Sequence, residues 1–436
     1  MSVSAAVRIL VAWTLMMLSA SIEAAAPGQA LLQRARDVAT FIQADPAALQ
    51  QHFAASFLEK VPGEQLSEVF KDYFDQVGTC QLDGPLQAPE AGTAGRFALR
   101  CSKGFLVPFD LKISAEPPYL IEGLLLKLPT AGERPEQPPL QAAMTALAEL
   151  PGTTALMTAR LEPGGVVPLT EVNAERPMAI ASVSKLYVLS ALLREIGTQR
   201  RKWADVIALP GTAISLPTGE LQNWPAGSPV TLHTLAALSI SKSDNTANDA
   251  LISAIGRSSV EAAVAETGDT SKKLGYPFLT TREFFALKQT PSLAKQYGSA
   301  TEAGRREILK SDIPAIVLRA DASLSRSAPR APGVEWFATV SELVRALAIL
   351  KELTDSGEAK HGRALLAINR PEAFDDPRWE YLGYKGGSEP GVAALAFLVR
   401  SSSGKWYAVA SAWNGAEPEP GVAYYSAVAR VLKALE

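Results

Sequence analysis

Histidine is almost missing from this sequence: three of 436 residues, His52, His233 and His361, standing far apart. No H-E-x-x-H and no clustered Cys/His spacing occurs, which argues against a protein-built zinc site. The chain also lacks a basic tract, and its formal net charge is −3. Nucleic acid and anionic lipid are therefore not expected as main partners. Beyond the N-terminus, no apolar run approaches the ~20 residues of a membrane-spanning helix. Cysteine is limited to Cys80 and Cys101. What remains is an ordinary globular balance, 47% apolar and 20% charged, over a length sufficient for two or three domains.

The first 25 residues read as a secretory signal. Arg8 supplies the positive n-region, Ile9 to Leu18 a short apolar core, and Ser21 to Ala26 small residues that place cleavage after Ala24 or Ala25. The apolar core is too short to span a bilayer comfortably, and Glu23 follows it. The expected product is exported, periplasmic or secreted, with no membrane anchor after signal removal.

Residues 26–128 read as a small α+β domain. Helices are expected over Leu31–Ile42, from Asp45 (N-cap) and Pro46, and over Gln65–Val77, where Leu66, Val69, Phe70, Tyr73, Phe74 and Val77 recur at helical spacing. Strands follow at Thr79–Leu82, Arg96–Ser102, Phe105–Ile113 and Tyr119–Lys127, with a tight turn at Ser102-Lys103-Gly104. Helices followed by a strand meander resemble an NTF2-like or ketosteroid-isomerase-like cone. In an oxidising compartment the two cysteines, on neighbouring strands, are expected to form a disulfide, which would add about 3 kcal/mol. Residues 129–139 carry four prolines counted with Leu128 (L-P-T-A-G-E-R-P-E-Q-P-P) and read as a semi-rigid linker.

From 140 to 436 the pattern changes. A helix (Leu140–Leu150) and two strands (Thr153–Leu161, Val166–Glu171) precede a largely helical stretch, Ser182 to about Leu353. Two further strands (Val392–Arg400, Trp406–Trp413) and a helix (Val422–Leu435) close the chain. Strands at both ends with helices between them predict a sheet assembled from distant segments beside an all-helical lobe.

Three short motifs stand in order in this segment: Ser182-Val183-Ser184-Lys185, Ser243-Asp244-Asn245 and Lys385-Gly386-Gly387. Serine is a poor nucleophile until a neighbour takes its proton, and a lysine three positions on lies on the same helix face. The helix they open is apolar on most faces and therefore buried, which disfavours the Lys185 ammonium and makes the amine a base. Taken alone, each motif has a plain structural reading: a buried helix with a surface Ser and Lys, a helix N-cap, a turn into a strand.

Together they resemble the S-x-x-K, S-D-N and K-T-G set of class A β-lactamases and penicillin-binding serine hydrolases, with the first two about 60 residues apart. The resemblance covers residues 140–436 and implies a β-lactamase/D,D-peptidase-like domain. It implies acylation of Ser182 by a β-lactam or related amide or ester, followed by hydrolysis, with no metal or cofactor. Lys185 would act as base and Ser243 as proton relay. Asn245 would bind substrate amide or order Lys185, and Lys385 would meet the substrate carboxylate. Gly387 and Ser388 would border the substrate, with the Ser182 and Ser388 amides as oxyanion donors. The alternatives are D,D-peptidase or esterase activity, or a non-hydrolytic small-molecule-binding protein.

Two departures from the family pattern stand out. Gly386 replaces the usual Thr or Ser, removing a hydroxyl worth about 1.5–3 kcal/mol of carboxylate recognition, for which Ser388 is the nearest replacement. The segment 268–335 is longer than usual and lacks the family's E-x-x-x-N deacylation pattern. It precedes a helix that starts with the capping box Thr339/Glu342. Glu283 is the best remaining candidate for a water-activating base. Its alternative is an ion-pairing residue in the first turn of a helix capped by Thr280 or Thr281.

Overall fold

The computed structural model describes residues 27–41, 46–87, 92–127, 129–131, 140–216, 218–268, 270–319, 334–371, 374, 376–415 and 421–435. The segment read as a signal sequence, the expected Asp45 cap and most of the proline-rich stretch lie outside these residues. The chain divides into two compact units at residue 136.

The N-terminal unit begins with α1 (Pro27–Thr40), α2 (Pro46–Gln50), α3 (Ala55–Leu58) and α4 (Gly63–Val77). Leu66, Phe70, Phe74 and Val77 form the buried stripe of α4, while Val69, 46% exposed, falls off that stripe. An antiparallel meander follows: β1 (Cys80–Gln87), β2 (Ala94–Cys101), β3 (Phe105–Ile113) and β4 (Ile121–Leu126). Cys80 lies directly opposite Cys101, and the two form a disulfide. A short strand, β5 (Thr130–Ala131), pairs with Phe105 and Leu106 of β3. Ordered sheet therefore runs into the beginning of the stretch read as a linker, because β3 extends far enough to offer those two residues a partner.

The C-terminal unit is mixed α+β, a sheet beside a helical lobe. It starts with α5 (Leu140–Ala148), β6 (Thr153–Glu162), β7 (Gly165–Val172) and β8 (Met178–Ala179). A 3-10 turn, Ala181–Ser184, leads into α6 (Lys185–Gly197), followed by a two-stranded ribbon, β9 (Val206–Ala208) with β10 (Pro229–Thr231). The lobe continues through α7 (Leu232–Ser241), α8 (Asn245–Ile255), α9 (Arg257–Ala265), α10 (Thr270–Leu274), α11 (Thr281–Gln289), α12 (Pro291–Ser299) and α13 (Glu302–Ser311). The chain then passes through β11 (Phe337–Ala338), α14 (Val340–Leu353) and α15 (His361–Ala367). It returns to the sheet as β12 (Trp379–Glu389), β13 (Val392–Ser401) and β14 (Trp406–Asn414), and closes with α16 (Gly421–Lys433).

The five-stranded antiparallel sheet has the order β12-β13-β14-β6-β7. Strand β13 is buried at nine of its ten positions, so both faces are covered. Ala155, Met157 and Ala159 of β6, Ala394, Ala396 and Leu398 of β13, and Ala408, Ala410 and Ala412 of β14 join one core with α6 and α14. Small residues on this face let the lobe approach closely. The register sets Lys385 opposite Ala396, Gly387 opposite Ala394 and Glu389 opposite Val392. Directly opposed residues share a face, so Lys385, Gly387 and Glu389 look toward the helical lobe.

Candidate active site

Ser182 sits at the head of the helix whose body is the most deeply buried in the lobe. Ten of the thirteen residues of α6 are buried, which fixes the position of its first turn. That turn is 3-10, where side chains at i and i+3 eclipse, so the Ser182 and Lys185 side chains stand on one side. Ala181, just before Ser182, holds φ +44°, a left-handed conformation costly for a residue with a Cβ. It is held by neighbours: Ile180 N donates to Trp336 O at 3.0 Å, and Ala179 pairs with Phe337 of β11.

The second motif arrives from the loop between α7 and α8. Ser243 also has positive φ, +53°. Asp244 secures it by capping α8 through Ala247 N (2.8 Å) while accepting from Glu220 N (2.7 Å) and Leu221 N (3.0 Å). Gly219 is required here, since a Cβ on it would lie 2.6 Å from the Asp244 Cα. Asn245 is anchored through its amide to Leu216 O at 3.0 Å.

The third motif is the end of edge strand β12. A Cβ on Gly387 would lie 2.5 Å from Ser182 N, 2.8 Å from Ile180 O and 2.8 Å from Val183 N. All three are backbone atoms, so this strand rests directly on the Ser182 turn and only glycine fits. Gly386 faces the other way, and a Cβ there would meet the Tyr384 hydroxyl at 2.1 Å. In the present arrangement the tyrosine, not a residue-386 side chain, fills that space. Ser388 is exposed and follows at once.

These three segments converge on Lys185. Its Nζ donates to Ser182 Oγ (3.2 Å), Ser243 O (2.6 Å), Ser243 Oγ (3.1 Å) and Asn245 Oδ1 (2.7 Å). From the opposite side Lys385 Nζ donates to Ser243 Oγ at 3.0 Å and also contacts Gly386 O. Both lysines are buried, while Ser182 and Ser243 keep partial exposure. Burial drives the Lys185 pKa down from 10.5 to about 7, opposed by the Asp249 and Asp244 carboxylates. Burial, and then the charge of Lys185, hold Lys385 well below its ordinary value. The site can therefore present a neutral amine to Ser182 near neutral pH and carry a proton onward through Ser243.

Glu283 sits in the first turn of α11. Its carboxylate closes the capping box of α11 by accepting from Thr280 N (2.8 Å), and it pairs with Arg257 at 2.5 Å. Both oxygens are engaged in holding that helix. Sequence reasoning did not find a second buried charge cluster, Lys288 of α11 with Glu335 and Glu389. Its available signal was the strand alternation, which turns Glu389 inward on the face of Lys385 and Gly387. Among the described residues no group of His, Cys, Asp and Glu is arranged to hold a metal.

Residues 139–309 match the model of the Beta-lactamase enzyme family. The C-terminal unit is β-lactamase-like, with the sheet-plus-helical-lobe architecture described above. The match contains the first two motifs and ends before the third. Among solved structures the chain is similar to the β-lactamase from Sphaerobacter thermophilus DSM 20745 (22% identity, 68% of this chain and 94% of that one, TM-score 0.46). It is similar to PBP-A (14% identity, 69% and 98%, TM-score 0.48) and to the β-lactamase from Burkholderia phymatum (16% identity, 68% and 97%, TM-score 0.46). No curated protein matches the sequence.

Proposed function

We propose that this protein is an exported serine hydrolase, acylated at Ser182 by a β-lactam or related amide or ester and regenerated by hydrolysis. The observation that carries the reading is the buried Lys185 amine, within hydrogen-bonding distance of Ser182 Oγ, Ser243 Oγ and Asn245 Oδ1 together. Neutral Lys185 takes the Ser182 proton as Oγ attacks the carbonyl carbon. The proton passes through Ser243 to the leaving nitrogen or oxygen, and Lys385 supplies positive charge beside that path. The Ser182 and Ser388 amides receive the oxyanion, which the close seat of Gly387 against the Ser182 turn supports. Asn245 orders Lys185, while Glu283 serves as a structural residue of α11. The Cys80–Cys101 disulfide agrees with an oxidising compartment. Among the described residues no helix is long and apolar enough to cross a membrane.

The test is intact-mass measurement after exposure to benzylpenicillin. The full chain is expected to gain the mass of the opened β-lactam on the peptide containing Ser182, and Ser182→Ala is expected to gain nothing. A protein that takes up no label from benzylpenicillin, a cephalosporin or a p-nitrophenyl ester would overturn the reading. It would then favour a non-hydrolytic binding role.

A further inference from the structure

The loop carrying Ser243, Asp244 and Asn245 is held from one side by residues that the acylation chemistry does not use. Ser215 N donates to Thr246 Oγ1 at 3.1 Å, and Leu216 O accepts from Asn245 Nδ2 at 3.0 Å. Glu220 N and Leu221 N donate to Asp244 Oδ2. Thr218 binds the loop twice. Its hydroxyl donates to Ser243 O at 2.8 Å, and its carbonyl accepts from Asn245 N at 3.0 Å. The Thr218 side chain is exposed, yet it ends on the carbonyl of a residue whose φ of +53° must be held by neighbours.

The same Ser243 carbonyl accepts from Lys185 Nζ at 2.6 Å. A carbonyl oxygen has two lone pairs, so Thr218 and Lys185 share it. The neutral lysine amine has two N–H groups and one lone pair. Of the four atoms around Nζ, Ser243 O and Asn245 Oδ1 can only accept, whereas the Ser182 and Ser243 hydroxyls can also donate. The two acceptors therefore take the two N–H groups, and the lone pair is left for the hydroxyls. Both acceptors are fixed from the Leu216–Thr218 side. Thr218 holds Ser243 O, and Leu216 O, which can only accept, settles which end of the Asn245 amide faces Lys185. The charged groups that act on Lys185 are Asp244 before α8, Asp249 on α8 and Lys385 on β12, with Glu283 of α11 acting on Asp249 in turn. Thr218 adds a dipole to this set without adding a charge.

We propose that Thr218 is a positioning residue for acyl transfer: its hydroxyl holds the Ser243 carbonyl on one N–H of Lys185, which turns the amine lone pair toward Ser182 Oγ. The proposal rests on the acylation reading above. Removing the hydroxyl has two consequences. Ser243 O loses its second donor and becomes a stronger acceptor for Lys185, which favours the ammonium over the amine. The Ser243 backbone also loses a restraint, so the amine and the relay hydroxyl lose their alignment with Ser182.

The test follows benzylpenicillin adduct formation on the full chain by mass, as a function of pH. Thr218→Val puts a methyl where the hydroxyl was, which also keeps water from replacing it. Its rate constant on the high-pH plateau is expected to fall about tenfold, and the midpoint of its pH profile to rise by about half a unit. Thr218→Ser restores the donor and is expected to recover most of both. The midpoint is read on folded molecules whatever their number, so early melting of Thr218→Val leaves it measurable. Wild-type rate and midpoint in Thr218→Val overturn this proposal alone. So does a slower rate with an unmoved midpoint, the sign of a loop merely loosened, or a Thr218→Ser variant as impaired as Thr218→Val. No adduct on wild type overturns the acylation reading and this proposal with it.

Discussion

The pH dependence of acylation follows directly from the burial of Lys185. Holding its ammonium in the fold costs on the order of 5 kcal/mol more than holding it in water, the equivalent of lowering the pKa from 10.5 to about 7. Only the neutral amine can accept the Ser182 proton. At pH 6 about a tenth of Lys185 is neutral, and at pH 8 about nine-tenths. The second-order rate constant for adduct formation should therefore rise about tenfold from pH 6 to pH 8 and then level. Stopped-flow acylation with a chromogenic cephalosporin, or mass-quenched labelling with benzylpenicillin, reads this directly. Lys185→Met should abolish the limb together with nearly all labelling. A rate flat across pH 6–8, or labelling retained in Lys185→Met, would refute Lys185 as the base. The same shift has a stability consequence. The unfolded chain binds a proton at Lys185 that the native chain has released between pH about 7 and 10.5. Unfolding free energy from this group therefore rises with pH across that window, and its cost is fully present below it.

Other outcomes follow from the packing. Gly387→Ala places a methyl against three backbone atoms of the Ser182 turn. It should cost about 1–3 kcal/mol in urea unfolding and reduce labelling far more than a substitution at exposed Ser388. Asp244→Ala removes a helix cap and the acceptor for two loop amides. Its melting temperature should fall, with a loss of about 1–3 kcal/mol, and acylation should fall as Ser243 leaves its strained conformation. Cys80→Ser, with Cys101→Ser, should destabilise the N-terminal unit by about 3 kcal/mol without changing the Ser182 labelling rate, as read by denaturation and mass.

The parts of the fold that could be read from residue order were those governed by local periodicity and capping. The α4 stripe, the capping boxes at Thr280/Glu283 and Thr339/Glu342, and the strands at both ends of the C-terminal segment are written in neighbouring residues. Spacing also joined Ser182 to Lys185, because three positions in a helical turn put two side chains on one side. The sequence did not reveal that Glu283 spends both oxygens on Thr280 and Arg257, since Arg257 is brought there by a different helix. Nor did it show that the Tyr384 hydroxyl occupies the space beside Gly386. That depends on where the Tyr384 ring lies over the strand.

By itself, then, the sequence determined which residue types were available for acyl transfer, in what order, and that zinc ligation and membrane-spanning helices were poorly supported. Tertiary structure decided which of those residues meet. Ser243 and Lys385 are 142 residues apart, yet their side chains lie 3.0 Å from each other. A contact of that kind depends on the register of β12 and the seat of α8, both fixed by burial elsewhere in the unit. The same holds for the low Lys185 pKa and for the Lys288–Glu335–Glu389 cluster. Desolvation is a property of everything packed around a group, and no stretch of neighbouring residues encodes it alone.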